Sequence, residues 1–401
     1  LLNPHSSILG AASGRVLLLD ALRAVALFGI LQVNIQSFLF GGGDPLGYFL
    51  APPRLIDTVV YLAIGTFVSL KFLSLFALLF GYGFTLQMRK LTRRHGLAGA
   101  KGHYRRRLTF LLVVGLAHGL LLYYGDILTG YAIAGFVLVA FAGSRSRQLL
   151  ALARNAFIVY LLLSVPQVWL LVLARRAAPF EGDPSAVPQN VIEQFAVMVT
   201  GGYLEQLPLR VEDFLVQLWG LLFAVPLFVA LFALGALAAR QRWLERPQRF
   251  GRLWRRAVPL GLAGLVLSAL GAWFNYGTML DAPGDPDLIG YTLMGVAFPA
   301  LALYLAWVVR RQGEPWMQAA IAWLAPAGRM PLTNYLMQSV LMGALLTGWG
   351  LALGLTLYRA ELALLALAIV AVQIVLSRWW IARFGQGPVE WLWSRVTYGD
   401  R

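Results

Sequence analysis

The chain has 401 residues, of which 59% are hydrophobic and only 13% charged, and its mean hydropathy is +0.70. Soluble domains carry about 25% charged residues, so a water-soluble globular fold is excluded. Cysteine is absent, which rules out disulfides, thiolate metal sites and a cysteine nucleophile, and four histidines leave little room for a histidine metal cluster; no metal is expected.

Crossing a bilayer takes about 20 mainly apolar residues. In chain order, runs of this kind lie near 17–40, 72–88, 107–124, 126–142, 149–174, 214–239, 256–274, 288–309, 331–350 and 361–380. They predict an all-α, polytopic integral membrane protein with about ten transmembrane helices. The segment 55–70 is read as an interfacial helix rather than an eleventh span, because the next apolar run begins just after Lys71. The first run is too long for a signal-peptide core and is read as a retained span. The whole chain, 1–401, is expected to form one membrane domain, with N-terminal helices over 15–174, an outer loop over 175–213 and C-terminal helices over 214–401. A short helix is expected near 189–200 within the loop, which is either a cap on an outer site or a solvated connector.

The net charge of +15 raises the question of nucleic acid, but its distribution points to topology. With both termini inside, 27 of the 33 Lys and Arg residues fall on the inner side, as the positive-inside rule requires. The basic surplus then faces anionic lipid, and no nucleic-acid partner is expected.

Ionisable groups within spans are expensive and usually face protein or water. Asp20 and Arg23 share a face of the first helix, as a structural ion pair or a substrate contact. Asn34, near the outer end of that helix, is either a helix–helix hydrogen bond or a substrate-orienting amide. The stretch RLTFLLVVGLAHGLLLYYGDILTG holds His118 toward the outside and Asp126 at the outer rim. His118 is either a buried neutral imidazole bonded to a carbonyl or hydroxyl, or a base. On a continuous helix the two residues would stand about 12 Å apart and about 80° off one face. A direct pair therefore needs a break at Gly125 or a third residue between them. Gly115 and Gly119 permit close approach of a helix or ligand. Near the C-terminus, Pro331 suits a helix start, Asn334 and Gln338 share a face, and Arg329 beside the helix N-terminus suits phosphate or serves as an ordinary rim anchor.

The stretches LDALRAVALFGILQVNI, KFLSLFALLFGYGF, GLAHGLLLYYGDILTGYA, GRMPLTNYLMQS and RFGQGPVEWLWSRVTYG resemble, in order and from about 15 to 399, the successive signatures of the YeiB family of bacterial membrane proteins. The second half is similar to that family's C-terminal domain of unknown function 418. The resemblance implies a multi-pass protein of the bacterial cell (inner) membrane. It also implies a distant similarity to transmembrane acyltransferases of the heparan glucosaminide acetyltransferase type, which use acyl-CoA on the cytoplasmic side and an acceptor reached from the other side. Asn34 matches the asparagine that ends the first span of that enzyme. No histidine follows it in IQSFLFGGGDPLGYFL, so the enzyme's histidine is not carried over, and Ala24 stands where the YeiB family commonly has glycine.

On this reading acyl-CoA (acetyl-CoA) is the donor, and Arg329, Asn334 and Gln338 hold it. His118 is the general base and Asp126 balances the imidazolium. Asn34 and Tyr124, with Asp20 and Arg23, contact substrate. The acceptor is a small molecule, glycan or lipid hydroxyl or amine, membrane lipid surrounds the chain, and a homo-oligomer stays open. The competing classes are a transporter or flippase using His118, Asp20 and Arg23 as a proton relay, and a non-catalytic membrane scaffold.

Overall fold

The computed structural model describes residues 9–10, 15–39, 54–177, 189–281 and 288–399. Much of the expected outer loop, 178–188, and the segment that follows Leu39 up to position 53 lie outside the described residues. The described chain is helical apart from a two-residue pairing of Leu9–Gly10 with Arg15–Val16. Seven of its helices are long and apolar enough to cross a membrane, the architecture of a multi-pass membrane protein.

The molecule is apolar outside and polar inside. Leu162, Trp219, Trp273 and Leu364 are exposed, whereas Asp20, Lys71, His118, Asp126, Gln338 and Gln373 are buried. That inversion is what a lipid solvent demands, since polar groups then have to find partners within the protein.

At the centre lies α1 (Leu17–Ser37), covered by α3 (Lys71–Leu121), α11 (Pro315–Gly328) and α13 (Arg359–Phe384). It is buried on nearly all sides, as a helix without a polar face must be. The runs 72–88 and 107–124 lie in the two halves of α3, which are separate helices joined at Gly96, where φ is +67° and ψ 172°; only glycine takes that conformation without a steric penalty. The first half of α3 packs on α7 (Tyr203–Gln241). Side chains at Gly81 or Gly235 would run into the opposing backbones of Phe232 and Leu78, so small residues set this helix spacing.

Several elements depart from the expected spans. The helix α4 (Leu128–Ala140) has 13 residues and α12 (Pro331–Leu346) has 16, each shorter than a full crossing; α2 (Leu55–Phe67), in the segment read as an interfacial helix, also has 13. The run 288–309 is divided into α9 (Leu288–Val296) and α10 (Leu301–Arg311) by a turn at Phe298–Ala300, where Pro299 lacks the amide proton a continuous helix needs. Pro315 and Pro388 start α11 and α14 (Pro388–Tyr398), two short helices that lie outside the expected spans. The remaining long helices are α5 (Ser146–Ala177) and α8 (Gly251–Asp281), and α6 (Gln189–Thr200) coincides with the short helix expected in the loop.

Candidate functional site

The site is organised by the end of α3. The helix stops at Leu121, short of the expected break at Gly125, and residues 122–127 turn without helical structure. Carbonyls at a helix end need donors. The buried Arg210 on α7 supplies them, with Nη1 donating to the carbonyls of Leu121 (3.2 Å) and Leu122 (3.0 Å), while Gln206 accepts from Nη2 at 2.6 Å. The Tyr203 hydroxyl also donates to Leu121 at 2.9 Å. Irregular backbone inside a membrane protein is tolerated where protein covers it, and here Arg210 and Tyr203 do so.

The turn brings Asp126 back onto His118. Their Oδ1 and Nδ1 atoms lie 2.9 Å apart, and both side chains are buried. The direct pair that a straight helix forbids therefore exists, because the chain reverses between them. The second oxygen of Asp126 accepts the Thr129 N–H at 2.7 Å, in the first turn of α4. A carboxylate in its ionised form only accepts hydrogen bonds, so opposite such a carboxylate Nδ1 of His118 is the donor, and in a neutral ring Nε2 is then the acceptor. Gly115 leaves room for this contact, since a Cβ there would lie 2.6 Å from Thr129 N and 2.9 Å from Asp126 Oδ2. Gly119 faces the ring of Phe214 on α7 in the same way.

The acceptor nitrogen is occupied. Ser339 of α12 places its hydroxyl 2.8 Å from His118 Nε2 and is itself buried. Ser339, His118 and Asp126 thus form a serine–histidine–aspartate relay, the arrangement that makes a hydroxyl nucleophilic or a histidine basic. Sequence reasoning missed Ser339. The only signal was its place one residue beyond Gln338, at the end of the motif GRMPLTNYLMQS. Two tyrosine rings flank the histidine, Tyr335 with its centroid at 4.9 Å and Tyr123 at 6.4 Å. The Tyr335 hydroxyl accepts the Ile127 N–H at 3.3 Å.

Tyr335 also lines a cavity of about 190 Å³. Its walls come from α1, both halves of α3, α4, α12 and α14, and include Phe80, Phe84, Tyr104, Leu128 and Trp393. Arg23, Arg107 and Arg329 line it as well, together with Gln87 and Glu390. Arg107 stacks over the Trp393 ring at 3.4 Å, and Arg329 Nη2 donates to the Gly385 carbonyl at 2.6 Å. Drug-sized pockets run to about 300–1,000 Å³, so this one is small beside them.

The N-terminus of α12 is already filled by an internal anion. Glu390 accepts from Leu332 N (2.7 Å) and Thr333 N (3.1 Å) with one oxygen, and from the Thr333 hydroxyl (2.6 Å) with the other. The expectation of a phosphate on that helix end is corrected accordingly, and Arg329 keeps only its place in the cavity wall. Burial pushes the Glu390 carboxyl above the usual carboxylate range, against the α12 hydrogen bonds that favour its charged form.

The other expected site residues divide. Arg23 donates to Asp20 at 2.8 Å, and Asp20 is buried while Arg23 reaches the cavity. Asn334 and Gln338 do not line it. Asn334 donates to the Ala327 carbonyl and to Ser377 (both 3.1 Å), Gln338 donates to Gln373 at 2.9 Å, and Gln373 donates to the Asn334 carbonyl at 3.0 Å. These amides join α11, α12 and α13, because a buried amide in an apolar bundle must find partners. Asn34 and Tyr124 do not line the cavity. The Tyr124 hydroxyl donates to the Ser37 carbonyl at 2.9 Å, and Asn34 is half-buried near the end of α1.

Residues 238–400 match the family described as Protein of unknown function (DUF418). Across 96% of the chain, 32% of residues are identical to those of YxaH of Bacillus subtilis (strain 168), of which 94% is covered. The chain belongs to the YeiB-like DUF418 family. Within it, YeiB of Escherichia coli (strain K12) is 28% identical over 94% of the chain and 95% of its own length. A 39.9 kDa protein of Bacillus acidopullulyticus is 27% identical over 98% of the chain and 96% of its own. The names of these DUF418 relatives state no activity, so the chemistry has to be argued from the site.

Proposed function

We propose that this DUF418 protein is a membrane-embedded acyltransferase. It takes an acyl group, acetyl in the simplest case, from acyl-CoA at the arginine-lined cavity and passes it to a hydroxyl or amine that reaches His118 from the opposite side. One observation carries the reading: His118 is held between Asp126 and Ser339, beside a tyrosine that lines an arginine-bearing cavity. Neutral imidazole with Nδ1 fixed by a carboxylate is suited to remove a proton at Nε2 near neutral pH. Arg23, Arg107 and Arg329 in the cavity wall suit the CoA phosphates, and the small volume suits the pantetheine arm.

We read the chain as a bacterial inner-membrane protein of about ten crossings, and its charge distribution favours both termini and the basic end in the cytoplasm. The lack of cysteine makes this simple to check. A Leu204→Cys chain in whole cells should react with an impermeant maleimide, and an Arg249→Cys chain should react only after lysis. The reverse pattern inverts the orientation.

The activity itself is tested by CoA release from acetyl-CoA in detergent, with glucosamine and a bacterial lipid extract as acceptor probes. Release that disappears in His118→Ala supports acyl transfer. Full release in that variant, with the fold intact, defeats it. Solute or lipid flux in proteoliposomes without CoA release would favour transport.

A further inference from the structure

We propose that Ser339 is the nucleophile of this site and carries the acyl group as a covalent ester between donor and acceptor. The inference rests on the acyl-transfer reading above and adds a second half-reaction to it.

Helical serines and threonines commonly return their hydroxyl to the carbonyl four residues back. Thr347 does so to Gly343 at 2.9 Å, Thr397 to Trp393 at 2.6 Å and Thr200 to Ala196 at 2.7 Å. Ser339 departs from this habit, and its hydroxyl is directed at His118 Nε2. Since Nδ1 carries the proton for Asp126, the Ser339 O–H is the donor and Nε2 is the base poised to take its proton. Tyr335 lies one turn earlier on α12, about 6 Å along the axis, and lines the cavity. A thioester arriving through the cavity therefore meets Ser339 once the Tyr335 ring swings aside.

In the first half-reaction Ser339 Oγ gives its proton to His118 Nε2 and attacks the thioester carbonyl. The C–S bond breaks, and CoA leaves as the thiol after taking the proton from Nε2. The acyl group stays on Oγ as an ester. In the second, the acceptor O–H or N–H gives its proton to Nε2 and attacks the ester carbonyl. The C–Oγ bond breaks and Oγ recovers the proton. The balance is thioester plus acceptor to acylated acceptor plus CoA thiol, with no other reactant. This order keeps donor and acceptor from having to occupy one buried site together.

The test uses the full chain purified in detergent. With acetyl-CoA labelled in the acetyl group and no acceptor, one label per chain should appear on Ser339, with an equal burst of CoA. A fluorophosphonate should label the same residue in the wild type and fail with His118→Ala. Ser339→Ala should lower turnover by at least on the order of 10³-fold, and Ser339→Cys should restore acyl capture as a thioester. Turnover that depends on His118, with no acyl-Ser339 and full activity in Ser339→Ala, overturns the nucleophile and leaves the acyltransferase standing. Fluorophosphonate labelling of Ser339 without any CoA release supports the nucleophile and removes CoA as donor. Absence of both signals removes both.

Discussion

Asp126 sits directly against Gly115. A single methyl group at position 115 would come within 2.9 Å of the carboxylate oxygen that holds the Thr129 amide. The glycine lies one turn before His118, so the space it leaves decides whether the carboxylate reaches the imidazole. Gly115→Ala should therefore destabilise the protein by about 1–3 kcal/mol, the usual cost of overpacking, and lower CoA release with it. Val113→Ala, on the exposed face of the same helix, should shift stability by no more than about 0.5 kcal/mol. Thermal unfolding in detergent separates the two, and equal shifts would mean that the contact is unimportant.

Asp126→Asn keeps the shape but not the pattern of acceptors. One oxygen cannot serve both Thr129 N–H and His118 Nδ1–H, so the ring is freed to adopt the other tautomer. Turnover should fall by about 10²–10⁴-fold with little change in KM for acetyl-CoA, as expected where a triad carboxylate only orients its histidine. A rise in KM at unchanged turnover would instead place Asp126 in substrate binding.

Glu390 should make the cavity sensitive to pH. Its carboxyl titrates above the ordinary value because burial disfavours the charge. As pH falls through that raised value, the cavity loses a negative charge beside Arg23, Arg107 and Arg329, and acetyl-CoA should bind more tightly. Glu390→Gln should bind more tightly throughout and flatten this part of the profile. The folded protein holds this proton at pH values where the unfolded chain has released it, so the group's contribution to stability declines as pH rises across the same window. An identical KM profile in the variant would remove Glu390 from ligand binding.

The amides of Asn334 and Gln338 should behave as structural groups. Gln338→Ala leaves the buried Gln373 oxygen without its donor, a loss of about 1–3 kcal/mol. It should lower the unfolding temperature and leave the KM for acetyl-CoA unchanged in the folded fraction. A selective rise in KM would return Gln338 to the cofactor-binding role that its spacing suggested.

Much of the architecture was legible from composition alone. Long apolar runs, the basic clusters between them and Pro331 at the start of a helix follow from local chemistry, because a bilayer solvent constrains each segment separately. The expense of ionisable groups among lipid also singled out His118, Asp126, Asp20 and Arg23. What spacing could not decide was how far each helix continues. Asp126 meets His118 because Arg210, nearly 90 residues away in sequence, receives the carbonyls of a helix that stops early.

Sequence by itself therefore determined a multi-pass helical membrane protein with a costly histidine and aspartate close together in the chain. Only the tertiary structure decided what those residues do for one another. Ser339 joins His118 across 221 positions, Glu390 occupies the helix end that seemed free for phosphate, and Asn334 and Gln338 hydrogen-bond to neighbouring helices. Hydropathy acts on each residue through its own solvent, so it can be read along the chain. Hydrogen bonds between buried groups depend on pairs brought together by packing, and no local pattern encodes those partners.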